Sequence, residues 1–364
     1  MTEIKRTYII AEAGVNHNGS AATARKMIEA AADVGVDAVK FQTFKADQVV
    51  SSSALKAEYQ KKTTDGNESQ LDMIRKLELN NNEQQELYMH CENLGLNFLS
   101  TPFDLTSLNF LAYELNLPTI KVSSGEITNA PFLLSIAKTG KQVILSTGMS
   151  TLGEVETALS VLAYGYLGIK GKPSLDMFRE TYCTLEGQEA LREKVTLLQC
   201  TTEYPAPYSD VNLKAMDTLK EAFGLPVGLS DHTSGIAASA AAVARGAAVI
   251  EKHFTLDKNQ AGPDHEASLE PVELKEMVNM LRQVEAVLGS SIKGPAPSEV
   301  KNINIVRKGL VAAESINKGE PFTVNNVTVK RAGGGLSPVY YWELLGRKAA
   351  KNYCKDEPLK MFFD

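Results

Sequence analysis

The sequence has little cysteine and no long apolar run. Its 4 cysteines are far apart in 364 residues and form no C-x-x-C pair, so neither a disulfide framework nor a thiolate zinc site is indicated. No apolar stretch reaches the roughly 18 residues of a membrane span. The N-terminus leads into a predicted strand and not into the apolar core of a signal peptide. We therefore expect a cytoplasmic protein with reduced thiols and no membrane partner.

An excess of positive charge is also missing. The chain carries 38 Lys and Arg against 44 Asp and Glu, for a net charge of -6, so we expect no nucleic-acid partner. With 43% hydrophobic and 23% charged residues the composition is that of a soluble globular protein, which excludes disorder and a fibrous fold. The length leaves room for one large domain and one small one.

Short β-branched apolar runs alternate with longer amphipathic or Ala-rich stretches up to Leu288. This pattern predicts repeated βα units and a parallel sheet. There are eight runs and each ends in polar residues, as on the catalytic face of a (β/α)8 TIM barrel, whereas a doubly wound sheet is the alternative. The runs are Tyr8–Glu12, Ala38–Gln42, Asn97–Thr101, Thr119–Ser123, Gln142–Ser146, Val195–Cys200, Pro226–Ser230 and Ala248–His253.

Two connections are too long for simple turns. The first, about Ser51 to Asn80, contains helix-like stretches at 54–61 and 69–77 and is predicted to form a lid over the barrel mouth. The second, Tyr164 to Lys194, follows a helix, so we expect an insertion on the opposite face with little effect on the chemistry.

A change of composition marks a domain boundary after Leu288. Residues 289–304 are rich in Gly, Ser and Pro, which is typical of a linker. We therefore expect a TIM-barrel catalytic domain over 1–288, a linker over 289–304 and a small β-rich domain over 305–364. About 60 residues is marginal for an independent core, so this domain should pack against the barrel or a second subunit.

Two lysines lie inside predicted apolar strands. Strands of a parallel sheet are covered on both faces, so Lys40 and Lys121 must lose water or find an anion. At strand ends facing the barrel mouth they could bind phosphate or carboxylate. The alternative is that each extends its amine to solvent or pairs with a structural carboxylate.

The histidines at the ends of the last two strands suggest a metal site. His232 and His253 would be neighbours in any barrel, and adjacent imidazoles can form half of a divalent-metal site. His17 follows the first strand and could also reach the mouth, whereas His90 is expected on the surface. Hydrogen-bonded core histidines are the alternative. Without cysteine nearby, six-coordinate Mn²⁺ or Mg²⁺ is favoured over tetrahedral zinc.

Carboxylates form the third group of candidates. Glu12 and Glu126 end or follow the first and fourth strands, and Asp264 comes just after the eighth. Such groups in a barrel mouth can orient sugar hydroxyls or act as acid or base. The turn at 123–126 (Ser-Ser-Gly-Glu) adds hydroxyls and free amides that can bind an anion, although this motif alone is weak.

Taken together, these segments closely resemble the sialic acid synthase family, which includes N-acetylneuraminate and legionaminic acid synthases. The resemblance covers nearly the whole chain, and the C-terminal part resembles the antifreeze-protein-like (SAF) domain, although Ala332 departs from the usual Arg-Pro-Gly turn there. The segments that carry it are residues 10–19, 39–43, 100–103, 121–126, 146–149, 230–233, 251–255, 262–264 and 329–335.

The resemblance implies a role for each candidate residue. It implies catalytic roles for Glu126, Glu12, Lys40 and Lys121, and metal ligation by His232 and His253. It implies phosphoenolpyruvate contacts from Lys40, Thr101, Lys121, Ser124, Thr202 and Ser230, with Thr202 standing where some members have asparagine. It implies sugar contacts from Glu12, Gln42, Tyr204, Asp264 and, from a partner subunit, Arg331.

The implied function is a phosphoenolpyruvate-dependent nonulosonic acid synthase, a transferase. We expect an N-acetylneuraminic acid synthase that condenses phosphoenolpyruvate with open-chain N-acetylmannosamine and releases phosphate. The alternative is a legionaminic acid synthase that uses 2,4-diacetamido-2,4,6-trideoxymannose. The expected metal is Mn²⁺, with Mg²⁺ or Co²⁺ as alternatives, and the expected assembly is a homodimer with exchanged C-terminal domains.

Two other classes of function use the same residues less well. A metal-dependent barrel hydrolase could use the two histidines and Asp264 on a bound water, but it leaves Lys40 and Lys121 unexplained. A carbohydrate-binding or ice-binding protein does not account for polar residues at eight strand ends.

Overall fold

The computed structural model describes residues 6–51, 54, 56 and 68–360. The chain divides into two compact units, Met1–Gly289 and Ser290–Asp364. Of the helix predicted at 54–61, only residues 54 and 56 are described, so that prediction lies outside the described residues. No helix in the described parts of the chain is long and apolar enough to cross a membrane.

The first unit is an eight-stranded parallel barrel. The strands follow the order β3-β2-β1-β8-β7-β6-β5-β4, and β3 packs against β4, so the sheet is nearly closed. This confirms the TIM barrel and excludes the doubly wound sheet. The strands are β1 Tyr8–Gly14, β2 Ala38–Thr43, β3 Asn97–Pro102, β4 Thr119–Val122, β5 Gln142–Ser146, β6 Val195–Cys200, β7 Val227–Asp231 and β8 Val249–His253.

Helices surround the barrel, and local sequence fixes where several of them begin. Ser20 caps α1, and Asn80 with Glu83 forms a capping box on α4. The helices of this unit are α1 Ala21–Val34, α2 Ala46–Val49, α3 Gln70–Lys76, α4 Asn81–Asn93, α5 Leu105–Asn109, α6 Ala130–Lys138, α7 Leu152–Tyr166, α8 Leu175–Tyr182, α9 Leu185–Lys194, α10 Lys214–Phe223, α11 Ala237–Ala244 and α12 Pro271–Leu288.

The barrel interior contains a layer of apolar side chains from six strands. Side chains of a strand alternate between its two faces, so the residue two positions further along faces the same interior. This places polar groups directly above the apolar layer, at the carboxyl ends of the strands. The apolar layer is Ile10, Ala38, Leu99, Ile144, Leu198 and Val249. The residues two positions later are Glu12, Lys40, Thr101, Ser146, Cys200 and Glu251.

The second long connection is helical. It contains α8 and α9, and Tyr164 packs edge-on against Phe178 at a ring-centroid distance of 5.1 Å. The end of α9 shares a cavity with residues at the amino ends of β3 and β5, such as Asn97 and Gln142. The insertion therefore lies at the barrel face opposite the strand carboxyl ends, as its position after a helix predicts.

The second unit combines short helices with a two-stranded antiparallel sheet, as expected of a SAF domain. Its elements are α13 Pro297–Val306, β9 Gly309–Ala312, β10 Val327–Lys330 and α14 Tyr341–Leu344. Its own core consists of Leu310, Ala312, Ile316, Phe322, Val327, Leu344, Ala349, Tyr353 and Leu359.

Helix α13 occupies part of the predicted linker at 289–304. Pro297 is the first helical residue, where its missing N–H removes no intrahelical hydrogen bond and its fixed φ suits the helix. The Glu299 carboxylate accepts a hydrogen bond from the Ala296 N–H at 2.8 Å. Pro297, one of the residues that we took as typical of a linker, therefore begins a helix.

Candidate active site

A cavity of about 310 Å³ opens at the carboxyl ends of the barrel strands. It brings together all the residues predicted for the site except Glu126 and Arg331. Those lining it are Glu12, Lys40, Gln42, Thr101, Lys121, Ser124, Thr202, Tyr204, Ser230, His232, His253 and Asp264.

Four charged side chains form the bottom of the cavity, here called the charged floor: Glu12, Lys40, Lys121 and Glu251. All four are buried. Lys40 Nζ lies 2.7 Å from Glu12 Oε2 and 3.6 Å from Glu251 Oε2. Lys121 Nζ lies 3.5 Å from Glu251 Oε1 and donates to Ser146 Oγ at 2.7 Å. The lysines thus combine both expectations, since they pair with carboxylates and face the mouth.

Burial and ion pairing give the two floor carboxylates opposite pKa shifts. Burial raises the pKa of Glu12 to about 7, and Lys40 offsets this only in part. Burial also acts to raise the pKa of Glu251, but Lys121 and Lys40 outweigh it and lower the pKa to about 2. Glu251 is therefore ionised and Glu12 is close to half-protonated at neutral pH. Two lysines facing one ionised and one partly protonated carboxylate leave a small excess of positive charge in the floor, which suits a further anion.

A glycine allows three polar atoms to converge beside the floor. Gly148 N donates to Ser124 Oγ at 3.0 Å, and that hydroxyl lies 3.0 Å from Cys200 Sγ. A Cβ on Gly148 would lie 2.5 Å from Thr202 Oγ1, 2.7 Å from Cys200 Sγ and 2.8 Å from Ser124 Oγ. We call these four residues the anion cradle, because the hydroxyls of Ser124 and Thr202 can donate to phosphate.

The two predicted metal ligands are adjacent on the cavity wall. The rings of His232 and His253 have centroids 5.5 Å apart, and the Tyr204 ring lies 4.3 Å from His232. His232 Nδ1 is 2.6 Å from the Thr201 carbonyl, which can only accept, so Nδ1 carries the proton and Nε2 keeps its lone pair, 3.1 Å from the Ser230 hydroxyl. His253 Nδ1 is buried and has no hydrogen-bond partner among the described residues.

The electrostatics of this pair fit a divalent metal. Burial lowers the pKa of His232 to about 4 and that of His253 well below 6.5, so both imidazoles are neutral and able to ligate. No cluster of three His, Cys, Asp or Glu suited to a metal occurs in the described parts of the chain. The two neutral imidazoles would be the protein ligands that this pair offers to a divalent ion.

Some predicted residues lie elsewhere. Glu126, in a short 3₁₀ turn at Ser124–Glu126, does not line the cavity, and its carboxylate accepts from Asn129 Nδ2 at 2.7 Å. Arg331 is exposed in the second unit. His90, which we expected on the surface, is half-buried on α4 with Nε2 3.2 Å from Glu29 Oε1, and it does not line the cavity. The proposed roles of Glu126 and Arg331 stay predictions.

The sequence analysis missed two polar residues of the site. Glu251 contacts both floor lysines and accepts from Ser230 Oγ at 2.8 Å, and Ser146 binds Lys121. Glu251 stands two positions before His253 on one strand, and this spacing puts both side chains on one face. That signal could have identified Glu251.

An apolar surface on one side of the cavity was also missed. It is formed by residues that follow β2 and β3 and by helices α2 and α3. We call it the apolar wall: Phe44, Val49, Met73, Ile74, Leu77 and Phe103. Part of the segment predicted as a lid, around α3, therefore does line the mouth.

The turn after β1 contacts two segments at the mouth of the cavity, the loop that carries Asp264 and the end of α3. Asn16 Nδ2 donates to the Phe254 carbonyl and to Ser268 Oγ, both at 2.9 Å, and Ser268 Oγ donates to the Asp264 carbonyl at 2.6 Å. On its other side, Gly19 has φ +74°, and an added Cβ would lie 2.2 Å from the Lys76 carbonyl oxygen. The turn thus anchors the Asp264 loop and the end of α3.

His17, in the same turn, does not line the cavity. It is buried, and its Nδ1 accepts from the Gly19 N–H at 3.0 Å, whereas Nε2 has no hydrogen-bond partner among the described residues. Burial lowers its pKa to about 4. The suggestion that it reaches the mouth is not supported by this position.

Comparison with known proteins matches both units. The NeuB family model matches residues 27–293, and the SAF domain model matches residues 307–361. The chain is 54% identical over 357 residues to the N,N'-diacetyllegionaminic acid synthase of Campylobacter jejuni subsp. jejuni serotype O:2, covering 98% of this chain and 100% of that protein. It is 41% identical to the protein of the same name from Legionella pneumophila, covering 95% and 91% of the two chains.

One solved structure is similar to this chain over most of the length of both. The crystal structure of N-acetylneuraminic acid (sialic acid) synthetase from Leptospira borgpetersenii serovar Hardjo-bovis, in complex with citrate, is 32% identical. The match has a TM-score of 0.65 and covers 82% of this chain and 91% of that one.

Proposed function

The chain belongs to the NeuB family of sialic acid synthases, with a C-terminal SAF domain, and from this premise we propose that it is an N,N'-diacetyllegionaminic acid synthase. The observation that carries the proposal is the 54% identity, over the full length of the relative, to an enzyme of that name. The neuraminic acid synthetase of known structure is only 32% identical. The alternative sugar is thus better supported than N-acetylmannosamine, our first expectation.

The proposed reaction joins phosphoenolpyruvate to open-chain 2,4-diacetamido-2,4,6-trideoxymannose. The methylene carbon of phosphoenolpyruvate bonds to the aldehyde carbon of the sugar, and the aldehyde oxygen takes up a proton. Water then adds at C2 of the phosphoenolpyruvate unit, and the C–O bond to phosphate breaks. Phosphate leaves, and the former enol carbon becomes the keto group of the product.

The charged floor and the anion cradle suit phosphoenolpyruvate. Lys40 and Lys121 would offset its charges and hold its methylene carbon near the aldehyde. Ser124 and Thr202 line the cavity and offer hydroxyls to phosphate, and the Gly148 N–H holds the Ser124 hydroxyl by donating to it. Thr101 and Ser230 contact residues of the floor. Lys40 Nζ is 3.2 Å from Thr101 Oγ1, and Ser230 Oγ donates to Glu251. The positive charge and the hydroxyls of the cavity thus support the proposed phosphoenolpyruvate site.

We assign to Glu12 the transfer of a proton to the aldehyde oxygen of the sugar. It lines the cavity, and its raised pKa, about 7, keeps a large fraction protonated near neutral pH. A carboxylic acid in that state can protonate the developing alkoxide. Glu126, the other candidate, does not line the cavity.

His232 and His253 would hold a divalent ion, for which we propose Mn²⁺. When bound there, such an ion supplies Lewis-acid polarisation of the aldehyde oxygen. Gln42, Tyr204 and Asp264 also line the cavity, and we propose that they orient the sugar. Burial raises the pKa of Asp264 to about 6, so that it can donate or accept a hydrogen bond.

The assembly belongs to the same proposal. We infer a homodimer with exchanged C-terminal domains in which Arg331 of one chain reaches the N-acyl group of the sugar bound by the other. The exposed position of Arg331 leaves its guanidinium available for such a contact.

Phosphate release tests the proposal directly. Purified protein with Mn²⁺ and phosphoenolpyruvate should release phosphate when the 2,4-diacetamido sugar is added, at least about tenfold faster than with N-acetylmannosamine. Chelation should stop release, and Mn²⁺ should restore it. Faster release with N-acetylmannosamine would make the protein an N-acetylneuraminate synthase instead. No release with either sugar would refute both functions.

A further inference from the structure

The apolar wall differs in chemistry from the rest of the cavity. Phe44 and Met73 are buried, and the rings of Phe44 and Phe103 pack edge to face with centroids 6.4 Å apart. None of the six wall side chains carries an oxygen or nitrogen atom. The lysines, histidines, carboxylates and hydroxyls of the cavity all come from other positions. A ligand group at the wall therefore meets side chains that offer no hydrogen bond.

The barrel order places the wall on one side of the reacting centre. His232 directly follows β7 and His253 ends β8, whereas the wall follows β2 and β3, with β1 between the two sets. Strands β8 and β2 are separated by two strand spacings, about 10 Å. A sugar with its aldehyde near the histidines can therefore extend its other end, C4 to C6, towards the wall.

We propose that the apolar wall is the specificity-determining surface for the sugar, and that it selects acceptors deoxygenated at C6 and acylated at C4. This inference rests on the proposed function. A C6 hydroxyl against the wall would lose water and gain no hydrogen bond from these side chains. A C6 methyl and the methyl of a C4 acetamido group would instead be removed from water. The cost of burying a C6 hydroxyl without a hydrogen bond and the gain from burying the methyl groups both favour the diacetamido, 6-deoxy sugar.

The wall is held in place before any sugar binds. Ser69 caps α3 by accepting from the Asp72 N–H at 3.1 Å. Arg75 of α3 pairs with Asp47 of α2 at 2.5 Å, and Glu78 accepts from the Ala46 N–H at 3.1 Å. Because these contacts join the two wall helices outside the cavity, the wall side chains can be changed without breaking them.

The first test uses the wild-type protein and three sugars that differ at the far end. Phosphate release from phosphoenolpyruvate is measured with the 2,4-diacetamido sugar, with N-acetylmannosamine and with 6-deoxy-N-acetylmannosamine. The last two differ only by the C6 hydroxyl. We expect kcat/KM to be about 10- to 100-fold higher for the 6-deoxy compound than for N-acetylmannosamine. Equal values would overturn the inference without the need for any variant.

The second test changes the wall itself. Ile74→Gln and Leu77→Gln place an amide at the wall, and we expect each to lower the preference for the diacetamido sugar over N-acetylmannosamine about tenfold, mainly through the KM of the sugar. Leu71→Gln is the matched control, because Leu71 lies on the same helix, is half-buried and does not line the cavity. It should retain the wild-type preference.

The two levels of the proposal fail in different ways. A wild-type protein that releases no phosphate with any of these sugars would refute the proposed function, and the wall inference with it. A wild-type protein that uses the diacetamido sugar, with variants that keep the wild-type preference, would refute the wall inference alone. A loss of preference shared by Leu71→Gln would also refute it, because the effect would then come from the helix and not from the wall.

Discussion

The charged floor and the apolar wall face the same cavity but are held together by different forces. In the floor, Lys40 and Lys121 share the Glu251 carboxylate, so every group depends on its neighbours' charges. Removing one partner of a buried ion pair leaves the others uncompensated, which typically costs about 3–5 kcal/mol. In the wall, side chains contact one another through dispersion and burial, which are non-directional.

This difference separates two properties of the site. The floor sets the charge state of the reacting groups, and a change there should affect every substrate alike. In our proposal the wall contacts the part of the sugar that does not react, so a change there should affect the choice between sugars. Turnover and selectivity should therefore respond to different residues.

The largest effect should follow from the loss of a floor charge. Lys121→Met should lower kcat/KM by about 10²–10³ with either sugar while leaving the ratio between the sugars unchanged, because it removes a charge next to the phosphoenolpyruvate site. Steady-state phosphate release checks this. Lys138→Met, on the exposed side of α6, is the control and should retain activity. A changed sugar ratio in Lys121→Met would contradict the separation of floor and wall.

The stability that the turn after β1 contributes through His17 should depend on pH. The buried His17 keeps a neutral imidazole down to about pH 4, whereas in the unfolded chain it takes a proton below about 6.5. Its contribution to stability is thus fully present above about pH 6.5 and is lost as the pH falls towards 4, by up to about 3 kcal/mol.

Urea unfolding across this pH range, for wild type and His17→Asn, measures the contribution. The free energy of unfolding should fall more steeply with decreasing pH in the wild type than in the variant. The substitution also changes packing, so the comparison is between the slopes and not between the absolute values. Parallel curves would show that His17 does not titrate differently in the folded state.

A smaller effect should follow from moving the wall without changing its side chains. Gly19→Ala should raise the KM of the diacetamido sugar about tenfold, because its Cβ would press on the Lys76 carbonyl at the end of α3. The KM of phosphoenolpyruvate should stay near the wild-type value. Initial-rate measurements with each substrate varied in turn separate the two.

Gly35→Ala is the control for Gly19→Ala. Gly35 also has a positive φ, +83°, but an added Cβ there would meet nothing within 4 Å. Both substitutions carry a similar backbone cost of about 1 kcal/mol, and only the one at Gly19 adds a steric clash. An equal rise of the sugar KM in both variants would show that the position of α3 does not depend on its contact with Gly19.

Most of the barrel and the floor could be predicted from the sequence, because strand periodicity determines both. Alternation along a strand puts Lys40 on the same interior face as Ala38, and the strand end puts it at the mouth. The same period applies to Glu251 and His253, although we noticed only the histidine. The pairing of the lysines with Glu12 and Glu251 depends on neighbouring strands, which the order β2-β1-β8 brings together.

The wall and the position of Glu126 could not be predicted in this way. Met73 and Leu77 have the four-residue spacing of one helix face, but the spacing does not show what that face packs against, because α3 lies in a connection outside the βα repeat. The packing of α3 on Gly19 decides which of its residues face the cavity. Glu126 follows the strand end through a 3₁₀ turn, and the hydrogen bond from Asn129 directs its carboxylate.

Gly148 is a position that a mutant library for a new acceptor sugar should leave unchanged. Any side chain there would place a Cβ 2.5–2.8 Å from three polar atoms of the anion cradle, so most substitutions at this position would displace the groups expected to hold phosphate. The wall positions carry no hydrogen bond through their side chains and can vary in size and shape. A directed-evolution experiment should therefore randomise positions 73, 74 and 77 and keep glycine at 148.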